Sequence, residues 1–199
     1  MNNLSIFISL LLLLLSKTSV QQYVSVSNCN ELQNLNSFLN NETIIANITK
    51  NIECFNFSFV SINGGIFRGW SIIKKLWSTL KKKKGKIQGN NFGIRNLKII
   101  GTNEKTSIIS VASKCSIENL VLENIYVESH SDYTSTLVAE ISYCNITNVH
   151  LLSSTINSTA IIKVGGLFAT SQYSNIFNSS IKSSKIHAQN STYVGGLVG

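Results

Sequence analysis

Proline is missing from the 199-residue chain, so strand continuity is nowhere blocked by that residue. Asp132 is the only aspartate, and charged residues make up just 13% of the sequence. No Cys-x-x-Cys or Cys/His spacing suggests zinc, and neither a Gly-x-Ser-x-Gly elbow nor a phosphate loop is present. The three histidines, His130, His150 and His187, occupy unrelated positions in polar surroundings. Outside the N-terminus no apolar run is long enough to span a bilayer. No cofactor or metal is implied.

What is present is a repeat of about thirty residues. Thr134-Ser135-Thr136-Leu137 returns as Val164-Gly165-Gly166-Leu167 and again as Val194-Gly195-Gly196-Leu197. Ile117-Glu118-Asn119-Leu120-Val121-Leu122 aligns with Ile146-Thr147-Asn148-Val149-His150-Leu151 and with Ile176-Phe177-Asn178-Ser179-Ser180-Ile181. Ile94-Arg95-Asn96-Leu97-Lys98-Ile99 reads as an earlier copy. Val127, Ile156 and Ile186 mark a third stretch between the other two. The stretches are short, alternating and rich in β-branched residues, which is a strand pattern. Three such strands per unit predict the coil of a right-handed parallel β-helix, an all-β solenoid whose coils are stable only when stacked.

Stacking in this register places Leu97, Leu120, Val149 and Ser179 in one inward row, and Ile99, Leu122, Leu151 and Ile181 in another. It predicts a structural row of Asn96, Asn119, Asn148 and Asn178 at a corner, bonded through their amides. The Gly pairs permit positive φ or close backbone approach at another corner. At the N-terminus, Asn30-Glu31-Leu32-Gln33 reads as a capping box, with Leu32, Leu35, Phe38 and Leu39 on one face. A helix from Glu31 to about Asn40 would cap the open end of the core.

The Val194 to Gly199 ending resembles the GLUG-type motif of secreted and surface repeat proteins. Gly89-Asn90-Asn91-Phe92-Gly93-Ile94-Arg95-Asn96-Leu97-Lys98-Ile99 is similar to the Gly-Asn-x-x-x-Ile-x-Asn-Leu-x-Ile stretch of the same family. The resemblance covers roughly residues 85–199 and departs from the pattern at Thr134-Ser135-Thr136, where a Gly pair is expected. It implies an extracellular, adhesin-like β-solenoid of pectate-lyase-like architecture, often without an assigned activity.

Leu4 to Leu15 is almost wholly apolar and sits at the extreme N-terminus, as in a secretory signal peptide cleaved between residues 18 and 22. Sequons at Asn41, Asn47, Asn56, Asn145, Asn157, Asn178 and Asn190 agree with that route. Asn41, Asn47, Asn56, Asn145, Asn157 and Asn190 are the candidates for glycosylation; Asn157 directly follows Ile156 and Asn190 lies in the corresponding loop, so both should be accessible, whereas Asn178 lies in the Asn row and is expected to stay bare. Four cysteines remain, an even number in an oxidising compartment. Cys115 and Cys144 share a repeat position, so stacked coils bring them within disulfide range, and Cys29 then pairs with Cys54. The alternative at Cys115 and Cys144 is a stack of buried free thiols.

The net charge of +8 is concentrated. Arg68, Lys74, Lys75, Lys81, Lys82, Lys83, Lys84 and Lys86 account for all of it, since the other nine bases balance the nine acids. The solenoid is therefore neutral, which argues against a nucleic-acid partner. Ile66, Trp70, Ile73, Trp77 and Leu80 follow helical spacing within the same segment. Three readings fit residues 66–86: a cationic amphipathic helix on anionic membrane or glycan, an insertion loop between coils, or translated non-coding sequence.

The expected organisation is a signal peptide over 1–20, an N-terminal cap and first strands over 21–65, the Lys-rich insertion over 66–88 and solenoid repeats over 89–199. The chain stops inside a strand-bearing motif, which reads as a fragment of a longer product. Enzymatic β-helices need paired carboxylates or a calcium-binding acidic cluster. Glu118, Glu123, Glu128 and Glu140 share no repeat position, so catalysis within this stretch is not expected. The sequence reads as a secreted or surface glycoprotein with a structural or adhesive role. Its partners would be extracellular glycans or surface proteins, with Tyr143 and Tyr173, and likewise Tyr133 and Tyr193, as aligned candidates for stacking on sugars. The alternatives are a polysaccharide-active enzyme whose site lies outside these residues, and a membrane-active protein acting through 66–86.

Overall fold

The computed structural model describes residues 22–38, 44–55, 57–59, 67–68, 85–102, 104–159 and 161–199. The chain winds as a parallel β-solenoid, and every strand pairing among these residues is parallel and joins one coil to the next. Each full coil has four faces rather than the three expected. In the central coil these are Cys115–Glu123, Tyr126–Ser129, Tyr133–Thr134 and Val138–Ser142. On the fourth face Ile109, Val138 and Phe168 form a buried apolar row directly after the Gly-Gly block. A second row, Ala112, Ile141 and Ser171, changes from coil to coil, and only its middle member is strongly apolar, which hides the strand in the sequence.

Alternation sends one set of side chains inward. Ile117, Leu122, Val127, Ile146, Val149 and Leu151 are wholly buried. Each such aliphatic contributes about 1.5–3 kcal/mol through the water it leaves. Ala46, Ile87, Ile117, Ile146 and Ile176 form one continuous row.

The earliest copy of the repeat, Ile94 to Ile99, takes a different register from the one expected. Ile94 stacks on Leu122, and Ile99 stacks on Val127. Leu97 and Asn96 therefore belong one corner further along than expected, Asn96 with Asn124. The reason is visible in the chain. Leu122-Glu123-Asn124-Ile125-Tyr126-Val127 has the same apolar-x-Asn-apolar-x-apolar pattern as Ile117-Glu118-Asn119-Leu120-Val121-Leu122. Two successive bends use one local solution, so a single copy fits either.

Those bends are made without glycine. Asn119, Asn148 and Asn178 have φ of 55°, 57° and 47°, and Asn96, Asn124, Ser153 and Ser183 lie between 48° and 57°. Asparagine tolerates this left-handed conformation better than most residues. Lys114, Tyr143 and Tyr173 adopt it at a third bend, with φ of 52°, 54° and 49°. No described glycine has positive φ, so the Gly pair serves close approach instead. A Cβ on Gly165 would lie 1.8 Å from the Phe168 carbonyl oxygen. In the preceding coil Ser135 and Thr136 hold these positions, buried, with hydroxyls that lack partners among the described residues.

A serine follows the left-handed residue at each bend of the last coil. Ser174, Ser179 and Ser184 each donate a hydroxyl to the carbonyl two residues back, at 2.9, 3.0 and 3.0 Å. The same oxygens accept the backbone N–H of Cys144, Val149 and Ser154 in the coil before, at 3.0, 3.2 and 3.1 Å. Ser154 repeats the arrangement, donating to Leu152 at 2.7 Å and accepting from Ile125 at 3.0 Å. Parallel backbones that bend leave such groups unpaired, and the serines satisfy them.

The helix α1 (Cys29–Phe38) begins two residues earlier than expected. Its N-cap is Asn28, whose side-chain oxygen accepts the Glu31 N–H at 2.9 Å. The Glu31 carboxylate in turn accepts the Ser27 N–H at 2.7 Å and its hydroxyl at 3.0 Å. Asn28-x-x-Glu31 is thus the working capping box, and its charged acceptor is favoured over Gln33. Leu32 and Leu35 pack into the core, so the helix covers the first coils as anticipated. The expected contribution of Phe38 and Leu39 lies outside the described side chains.

Candidate functional site

Both disulfides form as the spacing anticipated. Cys29–Cys54 ties α1 to the first coil with Cα atoms 5.8 Å apart, and Cys115–Cys144 joins adjacent coils at 4.5 Å. Cys144 occupies the bend position that serine holds in the next coil, and its sulfur accepts the Cys115 N–H at 3.3 Å. The described cysteines include no free thiol.

Immediately before that disulfide stands an exposed aromatic pair. The rings of Tyr143 and Tyr173 stack with centroids 5.0 Å apart and planes 16° from parallel. They are 57% and 78% exposed, although each sits at a left-handed backbone position. A bulky side chain there is strained, and natural chains keep such strain where a position has a task. Cys144 and Ser174 turn inward, so Asn145 and Asn175 emerge beside the rings. The Asn175 amide donates to the Asn145 side-chain oxygen at 3.2 Å, making a polar shelf along the aromatic pair.

The second aligned pair, Tyr133 and Tyr193, sits two coils apart in a column that also holds two lysines. Lys105, Tyr133, Lys163 and Tyr193 stack in register on the third face. Lys105 lies 5.4 Å from the Tyr133 ring centre, and Lys163 lies 5.3 Å from that of Tyr193. Burial opposes the charge of Lys105, but Glu104 and Glu140 outweigh it and hold its ammonium above the usual value. Alignment by similarity pairs the two tyrosines and misses the lysines, because the column alternates unlike residues. Cation–π attraction covers one face of each of these tyrosines, whereas Tyr143 and Tyr173 stack on each other.

The Asn row exists with one change of member. Asn148 donates to Asn119 at 2.9 Å, and Asn178 donates to Asn148 at 3.3 Å. Asn91, at 3.5 Å from the Asn148 amide, takes the place expected for Asn96. Asn96 instead donates to Glu53 at 2.8 Å and accepts from Asn124 at the next bend.

The sequons differ in what their amide nitrogens do. Asn178 spends its amide on the row, and Asn157 donates to the Tyr126 hydroxyl at 3.0 Å and is half-buried. Asn47 is half-buried on the outer side of its strand. Asn145 and Asn190 are exposed, and neither amide nitrogen has a partner among the described residues. Asn41 and Asn56 lie outside the described residues, as do most of the Lys-rich segment and the apolar N-terminus.

Five of the described carboxylates, those of Glu53, Glu104, Glu118, Glu123 and Glu140, form ion pairs along the coils. Glu118 meets Lys86 at 2.9 Å, and Arg95 bridges Glu123 at 2.8 Å and Glu53 at 3.5 Å. Hydrogen bonds from Ser116 and Lys86 hold the Glu118 carboxyl below its usual value. His150 bonds to Asn148 and Ser180, both at 2.9 Å, and His130 bonds to Thr159 at 2.8 Å. Among the described residues no group of three or more His, Cys, Asp or Glu could hold a metal ion. Compared with protein-family models, with curated proteins and with solved structures, the chain finds no match in any of the three.

Proposed function

We propose that the chain is a secreted or surface-displayed glycoprotein scaffold of the GLUG-like kind, with a structural or adhesive role and no catalysis of its own. The carrying observation is the Tyr143–Tyr173 pair, exposed, ring on ring and kept at strained positions. Aromatic faces receive the C–H faces of sugars, and the Asn145–Asn175 shelf supplies donors and acceptors for hydroxyls. Two disulfides, the apolar stretch Leu4 to Leu15 and the sequons support an extracellular setting. The neutral coils support a glycan or protein partner over a nucleic acid.

The test is a glycan array probed with oxidised protein carrying no N-glycan. Tyr143→Asn/Tyr173→Asn is the comparator, because asparagine keeps the left-handed backbone while deleting both rings. Wild type should bind, and the double variant should bind at least about tenfold more weakly, the equivalent of one aromatic contact of about 1.4 kcal/mol. Equal binding by the two proteins, or none by either, would sink the reading.

A further inference from the structure

We infer that Asn145 carries an N-linked glycan whose first sugar lies on the Tyr143–Tyr173 pair, so that the protein's own glycan occupies its aromatic platform. The inference rests on the extracellular-glycoprotein reading and names the ligand of the same site.

Several observations converge on this residue. Tyr143-Cys144-Asn145-Ile146-Thr147 is a sequon with an aromatic residue two positions before the acceptor. Cys144 is buried between them, while Tyr143 and Asn145 are both exposed. The Asn175 amide bonds to the Asn145 oxygen at 3.2 Å, fixing the side chain and leaving its nitrogen without a partner among the described residues. That nitrogen is the atom a glycan takes. The neighbouring coil repeats the geometry but not the chemistry. Tyr173-Ser174-Asn175 is followed at the decisive position by Phe177, not by Thr or Ser. One attachment point therefore serves two rings. Phe177 is 71% exposed, in register with Thr147, and extends the apolar surface along which a glycan would lie.

Attachment forms a bond between the Asn145 Nδ2 and the anomeric carbon of an oligosaccharide carried on a polyprenyl diphosphate. The carbon–oxygen bond to the carrier breaks, one amide proton is released, and the diphosphate leaves. The amide keeps its second hydrogen, and its oxygen keeps the bond from Asn175. At Asn178 or Asn157 the same reaction would load an amide already bonded within the solenoid.

The experiment is secretion of the full chain from a eukaryotic host, followed by glycopeptide mapping and by melting before and after enzymatic glycan removal. Asn145 should be occupied. Removal should lower the melting temperature of wild type by about 2–4 °C. It should lower that of Tyr143→Asn/Tyr173→Asn by less than half as much, while Tyr143→Phe should behave as wild type. In the same preparation Thr147→Ala, which abolishes the sequon and leaves Asn145 in place, should bind an external glycan array more strongly than glycosylated wild type. A bare Asn145 in protein glycosylated at Asn190 would overturn the inference alone. So would equal melting shifts in wild type and the ring-less variant. No glycan at any sequon would overturn the extracellular reading beneath it.

Discussion

At the scale of residues, the fold depends on side chains that accept a left-handed backbone. Asn148 is held at φ 57°, donates to Asn119 at 2.9 Å and accepts from Asn178 at 3.3 Å. Two effects can be separated by substitution. Asn148→Gly loses the amide row but relieves the backbone, whereas Asn148→Ala loses the row and adds about 1–2 kcal/mol of left-handed strain. Urea unfolding should rank wild type above Gly and Gly above Ala, and an alanine variant as stable as the glycine one would contradict the backbone argument. Ser154 offers a different case. Its buried hydroxyl satisfies the Ile125 N–H at 3.0 Å, so Ser154→Ala strands a buried donor and should cost about 1–3 kcal/mol in the same assay.

At the scale of elements, α1 is fastened by charge as well as by its apolar face. Hydrogen bonds from the Ser27 backbone and hydroxyl, with smaller contributions from Asn28 and Lys50, hold the Glu31 carboxyl below its usual value. A carboxyl depressed in the folded state stabilises it above the unfolded value, about 4.3, and that stability is lost as pH falls through the lower folded value. Glu118 acts in the same direction. Urea midpoints should therefore drop between about pH 5 and pH 2, and the drop should be smaller in Glu31→Gln. Strand period, the thirty-residue repeat, the apolar face of α1 and the cysteine pairing were all legible in the sequence, because each is a spacing. The exact cap was not, since Asn28-x-x-Glu31 and Asn30-x-x-Gln33 both satisfy the pattern and only the stronger acceptor separates them. The placement of Asn96 was not, because two bends share one motif. The Tyr143–Tyr173 stack was legible as an alignment, and so was the pairing of Tyr133 with Tyr193, while the interleaved Lys105 and Lys163 were not, since their place lies in contact and not in likeness.

At the scale of the whole molecule, the two disulfides act in different places. Cys29–Cys54 closes a segment with separation 25 around the capping helix, and Cys115–Cys144 closes one of 29 between central coils. Chain entropy assigns each about 3.5 kcal/mol. Cys29→Ser/Cys54→Ser should also expose α1 to early amide exchange, whereas Cys115→Ser/Cys144→Ser should leave the helix protected and weaken the central coils. Exchange in α1 that is equal in the two variants would show the helix to be held by its apolar contacts alone.

The bend serines carry a consequence for how such a chain can change. Each hydroxyl serves one carbonyl of its own coil and one N–H of the coil before. The bonding is the same at every rung where it occurs and refers to nothing beyond the nearest neighbour. A tandem duplication of one unit, in register, would find its donors met on one side and meet those on the other. Length is thus a variable that inheritance can adjust in whole turns, leaving the joints untouched.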